Sequence, residues 1–349
     1  MHAWLNALLE QRSPAILVTV ARAEGSVPRE AGAKMLVTAD RLADTIGGGH
    51  LEFVATAVAR EMLAQPAQEL LAQRRLQRLP LGPTLGQCCG GVAFLAFERV
   101  EADGHAHFAA IRDSLARNED VLRQLPLDSA APPSLAGGAD ATHDEHDEHD
   151  ERDTRLWQDA HGARWLADAC RPPAARLYLF GAGHVGAAIV HAMSALPCHI
   201  TWIDEREDMF PASLPANVRV EATDTPEAVV AAAPDDASYL VMTHSHPLDQ
   251  ALSEAILRRE RVGWFGLIGS ATKRVQFERR LRQRGIPDSR LADMVCPIGI
   301  QHIAGKEPAV IAIAVAAQLL QVWQAMQASR QTGGQTNGAT ATHRKKQQA

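Results

Sequence analysis

The sequence predicts an α/β protein in two parts: an N-terminal α/β domain followed by a C-terminal Rossmann-like domain built on a parallel sheet. Three observations predict it. The chain has 349 residues and is 46% hydrophobic, enough for two cores rather than one. A stretch without core-forming residues interrupts it at 126–154. Beyond that stretch, strand-like and helix-like runs alternate behind a G-x-G-x-x-G turn. The expected boundaries are 1–125 for the first domain, 126–154 for a disordered linker, 155–324 for the Rossmann-like domain and 325–349 for a disordered polar tail.

Composition narrows the function classes. Lys and Arg number 35 against 41 Asp and Glu, a net charge of −6. That balance gives no electrostatic reason to bind nucleic acid or an anionic membrane. No window approaches ~18 uninterrupted apolar residues. The opening "MHAWLNALLEQRSP" has no basic region followed by an apolar one, so a cytoplasmic protein is expected. Five scattered cysteines do not read as a disulfide framework.

In the first domain, Ala15–Val20 and Lys34–Thr38 read as strands. "TIGGGHLE" then places Gly47, Gly48 and Gly49 before an amphipathic helix from Leu51 to about Leu63. Glycines opening a helix offer bare N–H groups to an anion. No Lys-Ser/Thr follows, so this is not a nucleotide-hydrolysing loop. Arg29 and Lys34 flank the turn and could hold a phosphate or carboxylate, or be ordinary surface charge. "LGQCCGG" sets Cys88 and Cys89 between glycines, before the strand "GVAFLAFERV". The pair reads equally as small buried residues and as a ligand-facing site; a disulfide fits a reducing compartment least.

The 126–154 segment ends in "HDEHDEHDE", with His143, His146 and His149 three apart. Nothing around them holds a metal geometry, and they read as solvated linker.

The second domain opens with a strand at Arg176–Phe180. Gly181-Ala182-Gly183-His184-Val185-Gly186 follows, then a helix from Val185 to about Leu196. A second strand, His199–Ile203, ends in Asp204, 21 residues after Gly183. Gly181 suits the tight turn, Gly183 the approach of a phosphate, and Gly186 close packing of helix on strand. Asp204 is placed to accept from a ribose hydroxyl or another polar ligand edge. Further strands are expected at Val218–Glu221, Tyr239–Thr243 and Trp264–Ile268. Helices are expected at Leu248–Glu260, over the basic "ATKRVQFERRLRQRG", and at Glu307–Trp323. In such sheets ligands sit at the carboxyl ends of strands. Those ends carry Thr243, His244, Ser245, His246 and Asp249, then Gly269, Ser270 and Lys273. His244 and His246 could ligate a metal, move a proton, bond a ligand, or simply cap the next helix. Cys170 and Cys198 read as linker and core, and Cys296 as a weaker ligand candidate. On the Gly181–Asp204 unit alone, an NAD(P)-dependent oxidoreductase remains an alternative.

Taken in order, "EGSVPREAGAKMLV", "TIGGGHLE", "LGQCCGG", "LFGAGHVG", "WIDER", "THSHPLDQAL", "FGLIGSATKR" and "CPIGIQHIAGKEPAVIAIAVAAQLL" resemble the XdhC/CoxI family, and its XdhC branch in particular. The resemblance covers the chain except the 126–154 insert and the tail. It implies a non-catalytic chaperone of the molybdenum cofactor (molybdopterin). The cofactor would be protected while a cysteine desulfurase replaces an oxo ligand by sulfide, then delivered to apo-xanthine dehydrogenase. It also implies a C-terminal Rossmann domain and a homodimer. It favours one of Cys88 and Cys89 facing the cofactor, with Cys88 as a possible molybdenum contact. The other cofactor-binding candidates are Arg29, Gly47, Gly48, Gly49, Gly181, Gly183, Gly186, Asp204, His244, His246 and Asp249.

Overall fold

In the computed structural model, residues 3–69, 73–82, 90–137, 153–303 and 305–344 are described, with side chains described as far as Ser329. The chain divides into two units, Met1–Pro172 and Pro173–Ala349.

The first unit contains α1 (Ala3–Glu10), β1 (Ala15–Glu24), β2 (Lys34–Val37), β3 (Leu42–Asp44), α2 (Gly49–Ala64), β4 (Arg74–Pro80), β5 (Val92–Val100) and α3 (Ala106–Ala116). It continues with β6 (Val121–Pro126), β7 (Ser134–Gly137), β8 (Arg155–Gln158) and β9 (Arg164–Cys170). One sheet has the order β3-β2-β1-β5-β4, with every pairing antiparallel. Helix α2 lays Leu51, Ala55, Ala59 and Met62 on it; their three- and four-residue spacing makes one buried stripe. A second antiparallel sheet has the order β7-β6-β9-β8.

Charged side chains are buried in this unit. Arg123 on β6 donates to Asp168 on β9 at 3.1 Å and to Glu98 on β5 at 2.6 Å. Lys34 on β2 reaches Asp168 at 2.6 Å, and both side chains are almost wholly inaccessible. Arg74 on β4 donates to the carbonyls of Pro126 and Ser129. Each charge is thus paired or hydrogen-bonded, which is the condition for burying one. Lys34, expected beside an anion site, is committed to this cluster instead.

The linker boundaries are corrected by these pairings. β7 lies inside the segment expected to be disordered and pairs with β6, while β8 and β9 belong to the first unit. The first unit therefore extends to Pro172, and the second begins near residue 173 rather than 155. Strand β7 escapes a composition reading because the stretch around it is rich in proline, glycine, serine and charge and poor in large apolar residues. His143, His146 and His149 lie outside the described residues.

The second unit runs β10 (Ala175–Phe180), α4 (His184–Ala192), β11 (Cys198–Asp204), β12 (Val218–Ala222), α5 (Pro226–Ala232), β13 (Ser238–Val241) and α6 (His246–Arg258). β14 (Trp264–Leu267), α7 (Ala271–Gln283), α8 (Asp288–Leu291), β15 (Met294–Val295) and α9 (Pro308–Arg344) complete it. Its six strands are all parallel in the order β12-β11-β10-β13-β14-β15. Counted from β10, that is 3-2-1-4-5-6, the order of dinucleotide-binding sheets. Apolar clusters cover both faces: Val230, Leu252, Ile256 and Phe277 on one, Ile189, Val315, Leu319 and Trp323 on the other. The order reverses between β10 and β13, and the ligand crevice of such sheets opens there.

Helix α9 continues to Arg344, past the expected stop at 324 and through most of the expected tail. Pro308–Ser329 is long and apolar enough to cross a membrane by length and composition. In this unit its Val315, Leu319 and Trp323 are core residues, and Trp323 Nε1 donates to Ser238 Oγ at 3.0 Å.

Candidate functional site

The glycine-rich turn between β10 and α4 is explained in two of its three glycines by the fold. Gly181 has φ +121°, a backbone region costly for other residues, and a Cβ there would overlap the Met242 carbonyl oxygen. A Cβ on Gly186 would overlap the Gly181 carbonyl oxygen. That carbonyl also accepts from Trp202 Nε1 at 3.0 Å, which fixes the turn on β11. Gly183 is different. Its φ is −78°, and a Cβ there would have nothing within 4 Å. No described contact in the chain requires a glycine at this position. It is the N-cap of α4 and supplies no side-chain cap. A group approaching the helix start would meet backbone N–H there.

Asp204 lies at the end of β11 as expected, but it does not face outward. It is buried. Its Oδ2 accepts from the Ala182 amide at 2.7 Å and from Arg206 Nη2 at 2.9 Å. Its Oδ1 accepts from the Arg206 amide at 3.0 Å and from Arg206 Nε at 2.9 Å. A carboxylate has about four acceptor positions, and these four donors fill them. Burial pushes the carboxyl pKa up, but the hydrogen bonds from Arg206 and Ala182 outweigh it and bring it down to about 2. Asp204 therefore holds the glycine turn and Arg206 in place; its expected bond to a ligand hydroxyl is not available in this arrangement.

Asp249 is corrected in the same way. It is buried at the start of α6, accepts from the Thr243 amide at 3.0 Å and hydroxyl at 2.7 Å, and pairs with Lys273 at 2.8 Å. Lys273 also donates to the Ile268 carbonyl at 2.8 Å. Ser245 caps α6 and Ser270 caps α7. The motifs "THSHPLDQ" and "GSATKR" thus form one hydrogen-bonded edge. His244 and His246 stay exposed on it. His244 Nε2 lies 3.4 Å from Glu205 Oε1, joining the end of β13 to the end of β11. Among the described residues, no group of three or more His, Cys, Asp or Glu is arranged to hold a metal ion.

Two of the three amides of the first unit's glycine triplet, those of Gly47 and Gly48, already have acceptors in the chain. Glu52, one turn into α2, reaches back; its Oε1 accepts from the amides of Ile46 at 3.0 Å and Gly48 at 2.9 Å, and from the Thr45 hydroxyl. Gly47 donates to Thr45 Oγ1 at 3.1 Å. Burial raises the Glu52 carboxyl, and these bonds more than offset it, leaving it below its ordinary value. The anion expected at Gly47 and Gly48 is the chain's own. All three glycines have positive φ, and a Cβ on Gly47 would overlap Pro28. Arg29 lies against this turn, donating to the Thr45 carbonyl at 3.4 Å and pairing with Glu30.

Cys88 and Cys89 lie outside the described residues. The three described thiols, Cys170, Cys198 and Cys296, are buried and free. Burial pushes Cys170 and Cys198 up to about 11 and raises Cys296. None of the three is a ready thiolate.

The solvent-facing groups around the α4 turn are therefore Gly183, His184, Glu205, Arg206, His244 and His246. Sequence reasoning gave Arg206 and Glu205 no role. Their signal was the "DER" that follows β11, an acid two residues before an arginine that neutralises it. Glu52 was likewise missed, although an acid four residues after Gly48 lies one helical turn away.

Comparisons with known proteins agree with this architecture. Residues 177–319 match the XdhC Rossmann domain, and residues 8–74 match the XdhC and CoxI family. The chain is 26% identical over 317 residues to an uncharacterized protein, YqeB, of Escherichia coli K12, covering 90% of this chain but 44% of that one. It is 25% identical over 349 residues to a Bacillus subtilis 168 protein named as a probable xanthine dehydrogenase subunit, covering 92% and 96%. A crystal structure described as that of a xanthine dehydrogenase from Bacillus halodurans shares the fold, with TM-score 0.69 and 24% identity over 92% of this chain and 95% of that one. The two family matches together take in more than half of the sequence, and the chain belongs to the XdhC and CoxI family.

Proposed function

We propose that this protein is a non-catalytic accessory factor in xanthine dehydrogenase maturation that holds the molybdenum cofactor and passes it to the apoenzyme. Family membership and the name of the Bacillus subtilis relative support the partner. The observation that carries the cofactor reading is Gly183, a glycine that no described contact accounts for, at an uncapped helix start. A phosphate suits this position, because backbone N–H groups and the α4 dipole favour an anion there. Molybdopterin has one such phosphate beside its pterin. Arg206, His184, His244 and His246 add donors around it. When bound, the cofactor supplies the molybdenum centre on which an oxo ligand is exchanged for sulfide; a cysteine desulfurase is the proposed sulfur source. The protein's own part is to hold the phosphate, orient the pterin and limit solvent access. Cys88 or Cys89, which the family resemblance favours, is the proposed thiol contact to the metal. A cytoplasmic homodimer completes the reading.

Hydride transfer with NAD is the less favoured function, because Asp204 has no acceptor position left for an unphosphorylated ribose. Gel filtration of the purified chain with molybdenum cofactor tests the proposal. Co-elution of molybdenum and the pterin absorbance with the protein is expected, followed by activation of apo-xanthine dehydrogenase on mixing. Cofactor eluting free at every ratio would contradict it.

A further inference from the structure

The parallel sheet carries a trough on the face away from α4. Side chains alternate between faces along a strand. Leu177, Leu179, Trp202 and Val220 pack with Ile189 of α4, so Tyr178, Thr201 and Arg219 stand on the other face. These three are direct neighbours in register across β10, β11 and β12. Over β13 and β14 that face lies under α6 and α7. Over β11 it lies under α5, which is only seven residues long. A cavity of about 390 Å³ remains between α5 and the strands, within the ~300–1,000 Å³ of ordinary ligand sites. Tyr178, Thr201, Arg219 and Glu221 line it from the sheet, and Ala228 and Ala232 from α5. Next in the same row is Tyr239, its ring 5.7 Å from that of Tyr178. The Tyr239 hydroxyl is buried with no hydrogen-bond partner among the described residues. Buried polar groups are rarely left so, and this part of the sheet is short of a polar partner.

The lining has an apolar part and a polar part. One aromatic ring and two alanines leave room for a planar ring between sheet and helix. Arg219 and Glu221, two apart on β12, bring donors and an acceptor to one side of it. Their mutual contact is long, 3.5 Å, and joins Arg219 Nη2 to Glu221 Oε2. Arg219 Nε and Nη1 and Glu221 Oε1 have no hydrogen-bond partner among the described residues. A lactam edge, one C=O beside one N–H, matches this pair. The carbonyl accepts from the guanidinium and the N–H donates to the carboxylate, and both bonds are charge-assisted. The Thr223 and Thr225 hydroxyls, 3.2 Å apart in the same lining, serve further ring nitrogens or carbonyls.

We propose that this trough binds a planar heterocycle of purine size through a lactam edge held by Arg219 and Glu221. Calorimetric titration of the full chain with hypoxanthine and with 1-methylhypoxanthine tests it, since the methyl group removes the lactam N–H and leaves the ring system unchanged. Hypoxanthine is expected to bind at least about tenfold more tightly, the scale of one lost hydrogen bond to a charged group. Glu221→Met should bring the two within about twofold, because the acceptor is then gone for both. Ala228→Leu enlarges an exposed helix side chain in the cavity wall and should abolish binding of both, with thermal unfolding unchanged. Equal binding of the two heterocycles by the unaltered chain overturns the proposal, and so does failure of hypoxanthine to bind. Binding that survives Ala228→Leu overturns it as well, since the ligand then sits elsewhere. The proposal is independent of the cofactor reading, because α4 packs on the opposite face of the sheet. Cofactor retention in gel filtration should therefore persist at saturating hypoxanthine. Displacement of the cofactor, whose pterin also has a lactam edge, would put both at one site and overturn the proposal. Cofactor that elutes free even without hypoxanthine removes only the chaperone.

Discussion

The chain opens a helix with a glycine-rich turn twice, and the two turns end up in opposite states. At Gly47–Gly49 the Glu52 carboxylate folds back onto the amides. At Gly181–Gly186 the nearest acid, Asp204, takes only the Ala182 amide of the turn and spends its other acceptor positions on Arg206. The first turn is closed by its own helix. The second leaves Gly183 facing open space. A run of glycines before a helix therefore does not define an anion site. What decides it is whether an acid of the same chain reaches the amides first.

The largest effect expected from breaking this comparison is at Gly186. Gly186→Ala drives a Cβ into the Gly181 carbonyl oxygen, and denaturant unfolding should show a loss of about 3 kcal/mol, the scale of an overpacked core. Glu52→Ala comes next. It strips the acceptor from two amides and a hydroxyl, and a loss of about 2 kcal/mol is expected from leaving such groups unpaired. The same variant should gain thermal stability from added sulfate, which the unaltered first turn has no place for. Gly183→Ala should cost less than about 1 kcal/mol, because its Cβ meets nothing and only the cap preference is lost.

The smallest effect is in pH. Asp204 is held to about 2 in the folded chain, below the ~3.9 of an unfolded aspartate. A depressed carboxylate contributes stability that is complete above the unfolded value and is lost as pH falls through the folded one. Protection of the Ala182 amide from exchange should persist at pH 4 and fall away toward pH 2. Loss of protection already at pH 5 would show that Asp204 does not hold the turn.

Much of the second unit was legible in the sequence because its signals are local. The strand, turn, helix and acid of the first βαβ unit fall within Ala175–Asp204, and hydrophobic periodicity marks the later strands. What Asp204 and Asp249 do was not legible. Their roles depend on which donor reaches them, and Lys273 is 24 residues from Asp249 in sequence. The second sheet of the first unit was hidden for a related reason. Leu127, inside 126–154, packs with Ala21, Ala96 and Leu166, all distant in sequence, so a stretch that reads as polar linker is partly core. The Cys88 and Cys89 expectation lies outside the described residues and passes to experiment unchanged.

The most direct test of the central claim sets the two turns against each other with one ligand. Molybdenum cofactor is titrated into the unaltered chain, Gly183→Val and Glu52→Ala, and bound molybdenum is measured after gel filtration. The account predicts that Gly183→Val loses at least tenfold in affinity while remaining folded, and that Glu52→Ala retains the cofactor. Undiminished retention by Gly183→Val, with loss in Glu52→Ala, would contradict it and move the phosphate to the first unit.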